Sequence, residues 1–140
     1  LPPIMRYEDH SNDCSMLNTS PVLAWYVAGL VFEWIEEQGG LKKMADSNKL
    51  KSQILYDFID QSDLYNNPVK PKYRSWINIP FTLFDSNLDD EFLTLAEKSN
   101  LYNLKGHRTV GGMRASVYNA MPIEGVEKLI SFMKDFENRH

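Results

Sequence analysis

The 140-residue chain is long enough for one domain with a buried core, and its 43% hydrophobic and 24% charged residues are typical of a globular protein. A net charge of -4 without a long basic run argues against nucleic acid or an anionic membrane surface as a partner. The single cysteine, Cys14, excludes an internal disulfide framework and favours a cytoplasmic location, and with three scattered histidines it supplies no zinc-ligand cluster.

The N-terminal stretch from Leu1 to Leu17 is polar and carries Pro2-Pro3, so we expect an irregular entry segment. It lacks an initial Met and the basic-then-apolar layout of a signal peptide, which indicates a fragment of a longer protein. No stretch of the chain is long and apolar enough to span a bilayer.

A long helix is predicted over VLAWYVAGLVFEWIEEQ, with Ser20 as its N-cap, Pro21 at its first position and Gly39 as its C-terminal cap. The helix is apolar on nearly all sides, so part of it is expected to meet another domain or subunit. Its N-terminus, beside Asn18 and Thr19, is a candidate anion site because free N–H groups and the helix dipole favour negative charge there. Most helix N-termini bind only their own cap and water, so both interpretations stay open.

A second helix is predicted from Leu41 to about Ser62, followed by a proline-containing loop over Asn66 to Tyr73. The stretch from Ser75 to Leu83 alternates between apolar and polar residues, which is typical of a half-buried strand. Pro80 within it predicts an edge position or a bulge, because proline has no N–H to donate to a neighbouring strand.

A third helix is predicted from Leu88 to about Ser99, capped by Asp85-Ser86-Asn87 and ended at Asn100. Leu101 to Leu104 is consistent with a short strand. A further strand over Met113 to Tyr118 alternates, with the apolar side chains on one face and the polar ones on the other. Pro122 begins the last helix, whose inward stripe comprises Val126, Leu129, Ile130 and Met133.

The stretch KGHRTVGGMRASVYNA, residues 105–120, carries His107, Arg108 and Arg114 around the Gly111-Gly112 pair. Glycine permits positive φ or close backbone approach, and arginine offers a fork of donors suited to carboxylate or phosphate. One interpretation is an anion-binding site. The other is a hairpin turn with solvated arginines, and residue types alone do not decide between them.

The pattern of helices and short strands lacks regular βαβ alternation. It predicts an α+β fold, with a small, mostly antiparallel sheet and helices packed on one face. No nucleophile elbow, P-loop, zinc-protease helix or Rossmann glycine pattern is present, and none of the ten lysines has a context that marks a Schiff-base former. Residue physics alone therefore indicates a small acidic α+β domain with two candidate anion sites, one at the helix start beside Asn18 and Thr19 and one at His107, Arg108 and Arg114.

Three long blocks, SMLNTSPVLAWYVAGLVFEWIEEQGG, RSWINIPFTLFDSNLDDEFL and KGHRTVGGMRASVYNAMPIEGVEKLISFMKDFENRH, resemble the phosphoserine aminotransferase family. These are class V, fold-type I enzymes that use pyridoxal 5'-phosphate. The resemblance covers essentially the whole chain and corresponds to the C-terminal part of the family. It implies that residues 1–40 form an interdomain and dimer-interface segment with a long helix, and that residues 41–140 form the C-terminal small α+β domain.

The resemblance also implies roles for individual residues. Asn18 and Thr19 correspond to a pair that reaches across a homodimer to the cofactor phosphate of the other subunit. Arg114 corresponds to the arginine that holds the substrate α-carboxylate. His107 and Arg108 correspond to a pair that binds the substrate phosphate. Ser20 departs from the family pattern, which often has proline there, and no loss of function is expected from a residue that caps helices well.

The implied reaction moves an amino group between glutamate and 3-phosphohydroxypyruvate in serine biosynthesis, and in bacteria it often serves pyridoxine biosynthesis as well. The resemblance places the Schiff-base lysine in a large domain outside this chain, so the chain holds no catalytic residue and is expected to be inactive alone. An alternative is a separate, non-catalytic module that binds phosphate-bearing ligands. In both cases the partners are small molecules, and the enzyme interpretation adds a homodimer with shared active sites.

Overall fold

The computed structural model describes residues 1–140, which divide into two compact units, Leu1–Leu41 and Lys42–His140. None of the helices combines the length and apolarity needed to cross a membrane.

The first unit begins with a 3-10 helix, Pro3–Met5, and a short helix, α1 (Tyr7–Asn12). The prediction of an irregular entry segment was therefore wrong for residues 3–12. Pro3 stands at the first position of the 3-10 helix, where its missing N–H costs nothing. In α1, acidic residues occupy the first turn, and Arg6 lies 3.8 Å from Asp9.

The second helix of this unit, α2, runs over Val22–Glu37. Pro21 is its N-cap rather than its first residue, and the Ser20 hydroxyl makes no capping bond, so the predicted start was one residue early. The predicted end is confirmed: Gly39 has a φ of 97°, which is the left-handed conformation that closes many helices. The helix α3 follows at once, over Gly40–Gln61.

The second unit contains α3, α4 (Asp89–Lys98) and α5 (Ile123–Glu137) with a three-stranded antiparallel sheet. The strands are β1 (Tyr65–Asn66), β2 (Asn78–Leu83) and β3 (Met113–Ser116), in the order β1-β2-β3. Short 3-10 helices, Pro71–Tyr73 and Ser86–Leu88, lie in the connections. The predicted α+β class with a small antiparallel sheet is confirmed.

The core lies on one face of this sheet. Alternate residues of β2 and β3 point into it: Ile79, Phe81, Leu83, Met113 and Ala115. Helices α3, α4 and α5 cover that face with a shared set of buried residues, among them Leu55, Ile59, Phe92, Ala96, Val126, Leu129, Met133 and Phe136. Tyr65 and Phe81 each meet Phe92 edge-on, with ring centroids 6.0 and 5.9 Å away. The opposite face of the sheet carries Asn78, Thr82, Arg114 and Ser116, none of which is buried.

Pro80 lies in the central strand, β2, but on one side it has no neighbouring strand, as at the edge of a sheet. β1 pairs only with Leu83 and Thr82, so no strand lies beside Pro80 on that side. The carbonyl oxygen of Pro80 accepts a hydrogen bond from the Asn67 side chain at 2.6 Å instead. The missing N–H therefore costs no ladder hydrogen bond, which is the physical reason that proline is tolerated there.

The segment Leu101–Leu104 forms no strand, so that prediction was wrong. The Arg114 N–H donates to the Leu104 carbonyl oxygen at 2.7 Å, and the next residue, Lys105, forms an isolated bridge with Met113, but no continuous ladder forms. The preceding helix ends as expected, with Asn100 at a φ of 59°.

Candidate functional site

The residues 106–112 form a tight hairpin-like loop immediately before β3. The Gly106 N–H donates to the Gly112 carbonyl oxygen at 2.8 Å, next to the bridge between Lys105 and Met113. The hairpin interpretation of the sequence is therefore correct for the backbone. It does not exclude anion binding, because the loop presents its side chains outward.

The glycines of this loop are required by its geometry. Gly111 and Gly112 have φ values of 77° and 59°. A Cβ on Gly112 would lie 2.7 Å from the carbonyl oxygen of Phe81, and one on Gly106 would overlap the carbonyl oxygen of Gly111. The loop backbone therefore packs closely against β2 at Gly112, and its two arms pack against each other at Gly106. This close packing fixes the direction in which the loop tip projects.

His107 and Arg108 lie at the exposed tip. The His107 carbonyl oxygen accepts the N–H groups of Val110 and Gly111, both at 2.8 Å, and its Nδ1 lies 2.7 Å from the Thr109 hydroxyl. These bonds orient the ring and leave its Nε2 without a partner. Arg108 makes no hydrogen bond or ion pair within the chain, so both side chains are available to an anion.

Arg114 projects from β3 on the face of the sheet opposite the core, in register with Pro80 of β2. Its side chain makes no hydrogen bond or ion pair within the chain, and its Nε is buried without a partner. Arg74 provides a contrast, because its guanidinium contacts both carboxylate oxygens of Asp60 at 2.6 Å, and these hydrogen bonds raise the pKa of Arg74. Arg114 therefore has a half-buried, uncompensated charge that suits a carboxylate or phosphate ligand.

A cavity of about 570 Å³ runs along β3, between the segment 100–104 and the start of α5. Its lining includes Arg114, Ser116, Tyr118 and Met121. His107 and Arg108 do not line it. The structure thus places Arg114 in a concave site, and it places the two residues of the loop tip outside that site.

Asn18 and Thr19 precede α2 in the first unit, and both are exposed. No side chain caps the helix, and its first turn contains no acidic residue. The backbone N–H groups of Leu23 and Ala24 donate to no acceptor within the chain. Free N–H groups at a helix start are donors that an anion can accept, so this helix start remains a candidate anion site.

Sequence reasoning missed a network beneath the turn that follows β3. Lys51 of α3 is only 1% exposed, and its Nζ donates to the carbonyl oxygens of Tyr118, Asn119 and Met121 at 3.1, 3.3 and 2.9 Å. The signal was present in the spacing, because Asn48 and Lys51 continue the buried stripe of α3 from Met44 to Leu55. The Nζ of Lys51 is therefore fully engaged by backbone carbonyl oxygens.

The model of the family "Aminotransferase class-V" matches residues 4–129. The phosphoserine aminotransferase of Pseudomonas syringae pv. syringae is 52% identical over 139 residues, which are 99% of this chain and 38% of that protein. The phosphoserine aminotransferase of Idiomarina loihiensis is 56% identical over 136 residues, which are 97% of this chain and 38% of that protein. The chain therefore spans less than half the length of the curated relatives that it matches.

Solved structures give the same result. The phosphoserine aminotransferase from Bacillus circulans subsp. alkalophilus superimposes with a TM-score of 0.92 at 41% identity, over 99% of this chain and 39% of that chain. The phosphoserine aminotransferase from Trichomonas vaginalis, solved with PLP bound, has a TM-score of 0.86 at 40% identity, over 96% of this chain and 39% of that chain. The predicted fold, part of a fold-type I aminotransferase, is confirmed.

Proposed function

The chain belongs to the class-V aminotransferase family, and we propose that it is the C-terminal portion of a phosphoserine aminotransferase. The whole enzyme exchanges an amino group between glutamate and 3-phosphohydroxypyruvate, giving O-phospho-L-serine and 2-oxoglutarate. The observation that carries the proposal is the uncompensated guanidinium of Arg114 in a concave site. Both substrates carry a carboxylate, which would supply the missing partner for the Arg114 guanidinium.

Arg114 holds the substrate α-carboxylate in this proposal. Its side chain leaves a central region of β3, where pairing with β2 and the bond from its N–H to Leu104 fix the backbone on both sides. A planar guanidinium donates two parallel hydrogen bonds to a carboxylate, so it orients the substrate as well as attracting it.

His107 and Arg108 bind the phosphate of 3-phosphohydroxypyruvate. Their exposure at the loop tip, outside the cavity that contains Arg114, supports delivery of this pair to the neighbouring subunit rather than to the same one. A phosphate presented to an arginine and a histidine forms charge-assisted hydrogen bonds, which favour it over the unphosphorylated analogue.

Asn18 and Thr19, with the free N–H groups at the start of α2, hold the phosphate of pyridoxal 5'-phosphate bound to the other subunit. When bound, the cofactor supplies the electron sink that transamination requires. The residues of this chain anchor it, select the substrate and orient the substrate carboxylate. The Schiff-base lysine lies outside the chain, so we expect the chain alone to be inactive.

A homodimer with shared active sites completes the proposal. No residue of α2 is buried in this chain, and its large apolar side chains are exposed, Leu23 by 76% and Trp25 by 70%. Large apolar side chains along a whole helix favour coverage by another domain or subunit, and we assign residues 1–40 to that role. The enzyme serves serine biosynthesis in the cytoplasm, and we extend the proposal to pyridoxine biosynthesis through a related phosphohydroxy substrate.

The test uses the full-length protein to which the chain belongs. We expect it to transaminate 3-phosphohydroxypyruvate with glutamate, and to prefer this keto acid to hydroxypyruvate by about a hundredfold or more. Arg108→Ala should reduce that preference by about tenfold or more, while Arg139→Ala, which changes another exposed arginine of the same unit, should leave it unchanged. A full-length protein that binds phosphate-bearing ligands but shows no cofactor absorbance and no transamination would contradict the proposal and favour the separate binding module.

A further inference from the structure

Lys51 is the one charged residue whose side chain is buried in this chain. Its ammonium is buried beneath the turn Tyr118–Met121 and donates to three carbonyl oxygens of that turn, at 2.9 to 3.3 Å. It forms no ion pair with a carboxylate, and burial lowers the pKa of Lys51. A charge in this environment is tolerated only while those carbonyl dipoles surround it.

Asn48, one helical turn earlier on the same face of α3, supplies a second tie. Its Nδ2 donates to the Asn119 side-chain oxygen at 2.7 Å. The turn is therefore held to α3 through three backbone carbonyls and one side chain. Removal of the lysine would leave those carbonyls without their donor, and removal of the turn would leave a buried ammonium unpaired. Each part thus fixes the other.

The turn joins directly to the strand that carries Arg114. The Val117 N–H donates to the Ile77 carbonyl oxygen at 2.7 Å, so the sheet pairing continues to the residue before Tyr118. Tyr118 and Met121 also line the cavity that contains Arg114. A shift of the turn would therefore move both the end of β3 and one wall of that cavity.

We propose that Lys51 is a positioning residue, which holds the turn Tyr118–Met121 on α3 and thereby sets the orientation of Arg114 toward the substrate carboxylate. This inference rests on the proposed function, because it assigns Arg114 a carboxylate ligand. Lys51 does not touch the substrate, and its effect passes through the turn and β3.

The test compares Lys51→Met, Lys51→Arg and Lys49→Met in the full-length enzyme. Lys49 lies on the exposed side of the same helix and is the matched control. With the active-site concentration titrated and the cofactor saturating, Lys51→Met should raise the KM for glutamate by about tenfold or more. The affinity for pyridoxal 5'-phosphate should stay unchanged. Lys51→Arg, which keeps the charge and the donors, should recover part of the KM, and Lys49→Met should behave as wild type.

Asn48→Ala provides a milder variant in case Lys51→Met does not fold, because it removes one tie and leaves Lys51 in place. The expected result is a smaller increase of the KM for glutamate in the same direction. If both folded variants lose thermal stability but keep the wild-type KM for both substrates, Lys51 is merely structural and the inference is wrong. Failure of the proposed function is distinguishable, since the wild-type enzyme would then show no transamination at all.

Discussion

Arg114 and Arg74 show how the same residue type takes opposite roles at two places in this chain. Arg74 is neutralised by Asp60 and lies 4.6 Å from the centroid of the Tyr56 ring, so it fastens the loop 67–76 to α3. Arg114 has no partner inside the chain. The difference lies in whether an internal carboxylate compensates the guanidinium, which residue type alone does not reveal.

Replacement of each arginine should therefore have a different consequence. Arg114→Ala in the full-length enzyme should lower kcat/KM for both substrates by about a hundredfold or more, because the carboxylate loses its bidentate donor. Arg74→Ala should lower thermal stability and leave KM near wild type. Steady-state kinetics and thermal unfolding of the two variants measure this contrast, and an Arg114→Ala enzyme with wild-type kcat/KM would show that its assignment is mistaken.

The sequence indicated the charged candidates of the site but not the buried Lys51. His107, Arg108 and Arg114 stand out because charged side chains surround a glycine pair. Lys51 was missed because a lysine on a helix is usually a solvated residue, and only its register with Met44 and Leu55 indicated burial. Its partners are backbone carbonyls of a turn far along the chain, and such partners leave no mark on residue type.

At the scale of elements, the loop 106–112 is defined by its glycines rather than by its charged residues. Gly106 and Gly112 face each other across the closing hydrogen bond, and neither has room for a Cβ. Gly111 also has positive φ, but a Cβ there would meet nothing within 4 Å. The loop thus offers two neighbouring glycines that share a positive φ and differ in the space available for a Cβ.

Gly112→Ala and Gly111→Ala should separate these two effects. Gly111→Ala should cost about 1 kcal/mol of stability through the positive φ alone. Gly112→Ala should cost about 2 kcal/mol or more, because its Cβ also meets the Phe81 carbonyl oxygen, and it should raise the KM for 3-phosphohydroxypyruvate by displacing His107. Thermal unfolding and kinetics of the two variants provide the measurement, and equal effects would rule out the steric part of the argument.

Periodicity predicted the longer elements well, because burying one face of a helix or strand constrains many residues at once. Both ends of α3 and α4, and the start of α5, lie within two residues of the predicted ones. Short elements were less predictable: α1 was missed, Leu101–Leu104 is not a strand, and the two-residue strand β1 was not predicted, its second residue lying at the start of the predicted loop. Such pieces hold too few residues to show a periodic pattern, and β1 forms only through its pairing with the distant β2.

At the scale of the whole molecule, the aromatic core links stability to alkaline pH. Tyr65 is 1% exposed and donates its hydroxyl to the Met133 carbonyl oxygen at 2.9 Å. Burial, reinforced by the negative charge of Glu137, raises the pKa of Tyr65 far above its usual value. The folded protein keeps this phenol neutral, whereas the unfolded chain ionises it near pH 10. The stability contributed by Tyr65 is therefore complete below about pH 10 and falls as the pH rises further.

Tyr65→Phe should reduce this alkaline loss. At about pH 8 the variant should be less stable by about 1 kcal/mol, the value of the lost hydrogen bond and its unpaired acceptor. Between about pH 8 and about pH 11 its free energy of unfolding should fall less steeply than that of the wild type. Tyr102→Phe, at a tyrosine that is 63% exposed, is the control and should keep the wild-type slope. Denaturant titrations at the two pH values decide the matter, and identical slopes for wild type and Tyr65→Phe would contradict the argument.

The fold class could be predicted from the sequence because alternation in β2 and β3 and the stripes of the helices all bury one face of a single sheet. The surroundings of α2 could not be predicted in the same way. An apolar helix without a buried residue indicates that something covers it, but residue types do not say which surface does so. That question belongs to the assembly of the whole enzyme.

Subunit mixing tests the central claim, that this chain gives Arg114 to its own active site and Asn18 to that of its partner. Full-length Asn18→Ala and Arg114→Ala enzymes, each impaired alone, are unfolded together, refolded as a mixture and assayed at limiting cofactor. A mixed dimer contains one site with both residues intact, so random pairing should restore about a quarter of the wild-type activity. Activity that stays at the average of the two separate variants would mean that both residues serve the same subunit's site, and the shared-site account would be wrong.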